Sequence, residues 1–141
     1  MRPPAILTRN GRSDSSLVLN AALDDGPVVV KTVYTIAPDK EAPFLKAIGQ
    51  VRLSRLRTGA TQWGLFKDGE TPHQFVELYV VSSWEEHLRQ HGERQSGTDQ
   101  QYDEAADAFS DSSPETSHLI VSRCRSSTIE APLSEVGANF R

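Results

Sequence analysis

Apolar residues in this chain gather in short runs fenced by turn-forming residues. Val28 to Ile36, VVVKTVYTI, is rich in β-branched residues, lacks Gly and Pro, and predicts a strand. Its first three residues are apolar on both faces, which predicts a central position covered on two sides. Pro38-Asp39 then opens a helix: Asp39 is placed to cap the free amides, and Pro43 falls in or near the first turn. Phe44, Ile48, Val51 and Arg55 follow at helical spacing. Gly59 suits a left-handed C-cap, with Arg55 and Arg57 complementing the negative end of the helix dipole. The runs over 60–67 and 73–81, on either side of Asp68-Gly69, predict a β-hairpin. In its second strand Val76, Leu78 and Val80 form a plain core face, whereas Phe75, Glu77 and Tyr79 set a carboxylate between two aromatics. The second arrangement suits a pocket better than a buried surface.

Ser83-Trp84-Glu85-Glu86 matches a capping box and starts a short helix from Trp84 to about Gln90, closing at Gly92. Thr98 to Gln101 repeats the cap, and Tyr102, Ala105, Ala106 and Phe109 then share one helical stripe. Asp111 to Pro114 breaks that helix, and Ser117 to Cys124 is the last strand. The order is βαββαβ, an α+β chain of the ferredoxin-like type: an antiparallel sheet with helices on one face. The other sheet face stays uncovered, and a second copy of the chain is the simplest cover. A homodimer with two sheets packed into a barrel-like core is therefore expected. The domain spans 27–124, between tails at 1–26 and 125–141; Leu17 to Leu23 in the first tail is able to add a strand to a sheet edge.

Composition narrows the class. The 141 residues carry 15 Lys+Arg against 19 Asp+Glu, a net charge of −4 without a basic run, which argues against nucleic acid as a partner. No apolar run approaches the ~20 residues needed to span a bilayer, and the start, MRPPAILTRNGRSDSS, has no signal-peptide core. A single cysteine, Cys124, excludes an internal disulfide framework and a multi-cysteine zinc site. These features point to a cytoplasmic setting.

Several segments together resemble a known family. They are Gly26-Pro27-Val28-Val29-Val30, Arg57-Thr58-Gly59-Ala60, Trp63 to Asp68, and Glu77 followed by Ser83-Trp84-Glu85-Glu86-His87-Leu88-Arg89-Gln90-His91. Over residues 26 to 122 the chain resembles the soluble C-terminal extension of some bacterial major facilitator superfamily exporters. That extension is similar to the antibiotic biosynthesis monooxygenase superfamily of dimeric α/β barrels. The exporters' membrane helices are missing here, so transport is not carried over. Met1 and the tail lean towards a free-standing protein rather than an excised domain. The superfamily includes cofactor-independent oxygenases of polycyclic polyketides, cyclases, haem-degrading enzymes and members without activity, so fold does not choose the reaction.

The resemblance implies a cleft between helix and sheet that His87 faces. There His87 is a candidate general base, oriented directly or through water by Glu77. Trp63, Tyr79 and Trp84, with Tyr34 and Arg55, would hold a small aromatic or apolar ligand. The alternative for each is structural: a helix-surface histidine, core aromatics, and ion-paired arginines, among which Arg57, Arg89 and Arg94 also count. His87 and His91 stand four apart, as metal ligands do, but no third ligand lies nearby in sequence, so no metal is expected. The first strand has no Asn, which counts against haem, and no cofactor is expected. Cys124, between two Arg, has no sequence neighbour to complete a nucleophilic pair. Two functions stand side by side: a cofactor-independent monooxygenase or cyclase of bacterial secondary metabolism, and a non-catalytic dimerising or ligand-sensing module.

Overall fold

Eight residues of the first β-branched run, Val28–Thr35, form strand β1 in the structure, a computed structural model that describes residues 21–122. A 3-10 turn at Pro38–Lys40 leads into α1, Glu41–Thr58, followed by β2, Gln62–Lys67, and β3, Gln74–Val81. Helix α2, Trp84–Arg89, runs through one π-helical turn, Gln90–Arg94, towards α3, Gly97–Asp107; β4 is Glu115–Ile120. The sheet order is β2-β3-β1-β4, antiparallel throughout, which is the ferredoxin-like α+β arrangement. The two tails largely fall outside the described residues, as do Cys124 and positions 17–20 of the expected edge strand; Ala21 to Leu23 form no strand.

Local details differ from expectation where side chains chose other partners. Asp39 does not cap α1: the helix begins through the 3-10 turn with no side-chain cap, and Asp39 adds only its charge to the first turn. Gly59 does close α1, at φ 134°, a conformation open chiefly to glycine. Ser83 accepts the Glu86 amide at 3.1 Å, but the Glu86 carboxylate turns to Arg94. The cap of α3 lies two residues earlier than expected: Ser96 and Asp99 make the full reciprocal box. Strand β4 likewise starts two residues early, at Glu115.

The assignment of the two sheet faces is the main correction. Val28, Val30, Thr32 and Tyr34 of β1 and Phe75, Glu77, Tyr79 and Val81 of β3 are buried against the helices. Phe75, Glu77 and Tyr79 therefore belong to the core rather than to an open pocket. Val76 and Leu78 sit on the opposite face and are only partly buried; Val80 of the same row is buried. Through the register they share that face with Val29, Val33 and Leu119, and Leu119 is 53% exposed. Among the described residues no helix covers it. Alternation fixed the periodicity, but a row of valines looks more buried than one carrying Glu77, and that misleads unless the carboxylate's partners are known.

Candidate functional site

Glu77 is accommodated in the core because each of its bonding partners donates to it. Arg55 Nε lies 3.1 Å from one carboxylate oxygen, Trp63 Nε1 donates to the same oxygen at 2.9 Å, and Tyr34 Oη donates to the other at 3.3 Å. The remaining guanidinium nitrogens turn to Asp103 of α3, with Nη2 3.1 Å from Oδ1 and Nη1 3.4 Å from Oδ2. Gln95 donates to Asp103 at 3.0 Å, and the guanidinium lies 4.9 Å from the centre of the Tyr79 ring. Arg55 and Glu77 are almost wholly buried. Burial pulls the arginine pKa down, but Asp103 and then Glu77 outweigh it and hold it well above its ordinary value. This network stands between two apolar clusters, one around Tyr34, Phe44 and Phe75 and one around Val30, Tyr79 and Trp84, with Trp63 touching both.

His87 belongs to a second group. It is fully buried, its ring centre 5.2 Å from that of Trp84, 4.7 Å from that of His91 and 4.8 Å from that of His118 on β4. The structure thus brings Tyr34, Arg55, Trp63, Glu77 and Tyr79 together, with Trp84 in the same apolar cluster as Tyr79, and His87 packs on Trp84 with His91 and His118. Arg57 and Arg94 take structural roles: Arg57 pairs with Asp99, and Arg94 pairs with Glu86 and donates to the last carbonyl of α1, that of Thr58, 3.4 Å away. Arg89 makes surface pairs with Glu85 and Glu86. Among the described residues no group of three His, Cys, Asp or Glu is arranged to hold a metal ion.

Asp99 locks α3 to α1. It accepts from Arg57, from Ser54 Oγ at 2.8 Å, and from the amide and hydroxyl of Ser96 at 2.8 and 3.0 Å. Burial pushes its pKa up, yet those bonds, Arg57's first, outweigh burial and lower it to about 2. A folded value below the unfolded one contributes stability above about pH 4 that is lost as pH falls towards 2. The shift corresponds to about 2 kcal/mol at most, and less because the Arg57 side chain is 59% exposed. Asp99→Asn is therefore expected to lower the urea midpoint at pH 7 and to flatten its decline between about pH 4 and 2. An unchanged acid slope would contradict this role.

Sequence reading missed Asp99, Asp103 and His118. Asp99, Asp103 and Ala106 are the buried residues of α3, a helical stripe concealed because two of its three members are acids. His118 alternates inward with Thr116 and Ile120 on β4, a period-two signal too short to stand out. An open groove of about 450 Å³ lies elsewhere, at the end of α3, lined by residues that include Glu104, Asp107, Asp111 and Pro114. None of the expected site residues lines it.

The fold recurs in solved structures. A Caulobacter crescentus CB15 protein provisionally named an antibiotic biosynthesis monooxygenase matches with TM-score 0.60 and 16% identity, covering 72% of this chain and 94% of its own. SnoaB, a cofactor-independent oxygenase from Streptomyces nogalater, matches with TM-score 0.58 and 14% identity over 71% of this chain and 97% of its own. Rv0793 from Mycobacterium tuberculosis matches with TM-score 0.57 and 14% identity over 72% and 100%. No curated protein matches the chain. Among the described residues no helix is long and apolar enough to cross a membrane. The family described as transmembrane secretion effector matches residues 6–127, and the chain belongs to that family, on the fold of the antibiotic biosynthesis monooxygenases.

Proposed function

We propose that this chain is a non-catalytic assembly module, cytoplasmic and tied to secretion in bacterial secondary metabolism, that pairs with a second copy through the exposed face of its sheet. One contrast carries the reading. The layer between helices and sheet is filled by Arg55, Glu77 and Asp103 with Tyr34 and Tyr79, while on the other side Val29, Val33, Val76, Leu78 and Leu119 surround Lys31 in a mainly apolar surface. Covering such a surface is favourable by about 25 cal/mol per Å² of apolar area removed from water. Two copies of one face meet around a two-fold axis. The assembling unit is residues 27–124, with 1–26 and 125–141 as tails.

A catalytic reading is favoured by one observation, the burial of His87 against Trp84, together with the likeness in fold to SnoaB. In that reading His87 takes a proton from an anthrone-like phenol. The phenolate is conjugated with the ring methylene, whose carbanion form adds dioxygen to give a hydroperoxide; loss of the second methylene hydrogen with cleavage of the O–O bond leaves the ketone and water. Trp63, Tyr79, Trp84, Tyr34 and Arg55 would hold the ring system, with Glu77 anchoring Arg55 and Trp63. The packed layer has to open first. An oxygen electrode separates the readings. The assembly module gives no oxygen uptake above the protein-free blank with an anthrone and no change in tryptophan fluorescence. Uptake that disappears in His87→Ala would overturn it in favour of the enzyme.

A further inference from the structure

Helix α1 is apolar on both sides. Phe44, Ile48, Val51 and Arg55 point into the core. At spacings of three and four residues, Ala42, Leu45, Gly49, Leu53 and Leu56 lie on the opposite face, where a helix of this kind normally carries polar residues. Leu45, Leu53 and Leu56 are 44%, 54% and 37% exposed, and a side chain added at Gly49 would meet nothing within 4 Å. This strip is bordered by cations: Arg52 on one side and Lys46 on the other, both exposed, with Arg57, paired to Asp99, beyond Lys46. Neither Lys46 nor Arg52 is paired with a carboxylate among the described residues. The acid of the same helix, Glu41, is held by Lys67 at 3.3 Å. A chain of net charge −4 thus concentrates cations around its exposed leucines.

We propose that this outward face of α1 rests on an anionic lipid surface, an inference that goes beyond the assembly role. Leucines enter the boundary between headgroups and acyl chains, while Lys and Arg lay their stems along it and keep their charges at the phosphates. A second copy is the poorer occupant, because the strip facing itself opposes its own cations. The acids Glu104, Asp107 and Asp111 gather at the end of α3, near the start of α1, where Lys40 lies 3.6 Å from Asp111. They direct the C-terminal half of α1, with Arg52, Leu53 and Leu56, towards the lipid. The strip lies across the layer from the sheet face proposed to pair, so both surfaces operate together.

Flotation of the whole chain with vesicles tests this. Binding is expected with phosphatidylcholine containing about 30% phosphatidylglycerol, little with phosphatidylcholine alone, and less at about 0.5 M salt. The double variant Lys46→Glu, Arg52→Glu is expected to lower partitioning at least about tenfold, and Leu53→Ser several-fold, with circular dichroism unchanged. Absence of binding to the anionic vesicles at millimolar lipid, or full binding by both variants, overturns the proposal. So does a change of oligomeric mass in the Leu53→Ser variant without a change in lipid binding, which would make the strip a protein contact.

Discussion

Replacing Arg55 by Ala is expected to destabilise the domain by about 3–5 kcal/mol, a large part of the roughly 5–15 kcal/mol that holds a typical domain folded. The guanidinium is the shared partner of Glu77 and Asp103, and the exposures of the three side chains are 2%, 0% and 7%. Without it two buried carboxylates lose their shared cation. Lost contact with the Tyr79 ring adds to the effect. A rescue is expected when Arg55→Met is combined with Glu77→Gln and Asp103→Asn: the charges are removed together, Trp63 keeps an amide oxygen to donate to, and the Tyr34 hydroxyl accepts from the amide NH2. Urea denaturation at pH 7 is expected to show the triple variant well above the single one. A loss below about 1 kcal/mol for Arg55→Ala, the value of a solvent-exposed pair, would contradict the buried network.

The second large effect concerns assembly. Leu78→Asp is expected to leave a folded monomer, with self-association weakened by roughly two to four orders of magnitude, because two copies of the new carboxylate would be buried across the two-fold. Folding itself is spared. Leu78 points away from the helix-side core and is only partly buried, so the introduced carboxylate reaches water in the monomer. Light scattering on eluted protein across a dilution series measures the change. Self-association equal to that of the parent chain would mean that the sheet face is not the contact.

Much of this architecture was legible in the sequence because periodicity and turn chemistry agreed. The β-branched run at Val28 to Ile36, the Phe44-Ile48-Val51 stripe and the Asp68-Gly69 hairpin point to one topology, and β1, α1, β2 and β3 follow it within a residue or two. What stayed hidden depends on contacts between residues far apart in the chain. Glu77 looks like a pocket residue until Arg55, 22 positions earlier, is seen to reach it. Asp99 and Asp103 look like surface acids until α3 packs on α1 and gives them Ser54, Arg57 and Arg55. His118 meets His87 only once β4 has paired with β1. Single-sequence patterns score an acid as polar whether or not an arginine waits for it, so buried ion pairs are what they invert.

The central claim is that the apolar surface of Val29, Val33, Val76, Leu78 and Leu119 is closed by a second copy. Sedimentation equilibrium of the parent chain at micromolar concentration tests it most directly. The account predicts a single species of twice the 15.6 kDa chain mass that persists on tenfold dilution. A single species of 15.6 kDa throughout that range would contradict it.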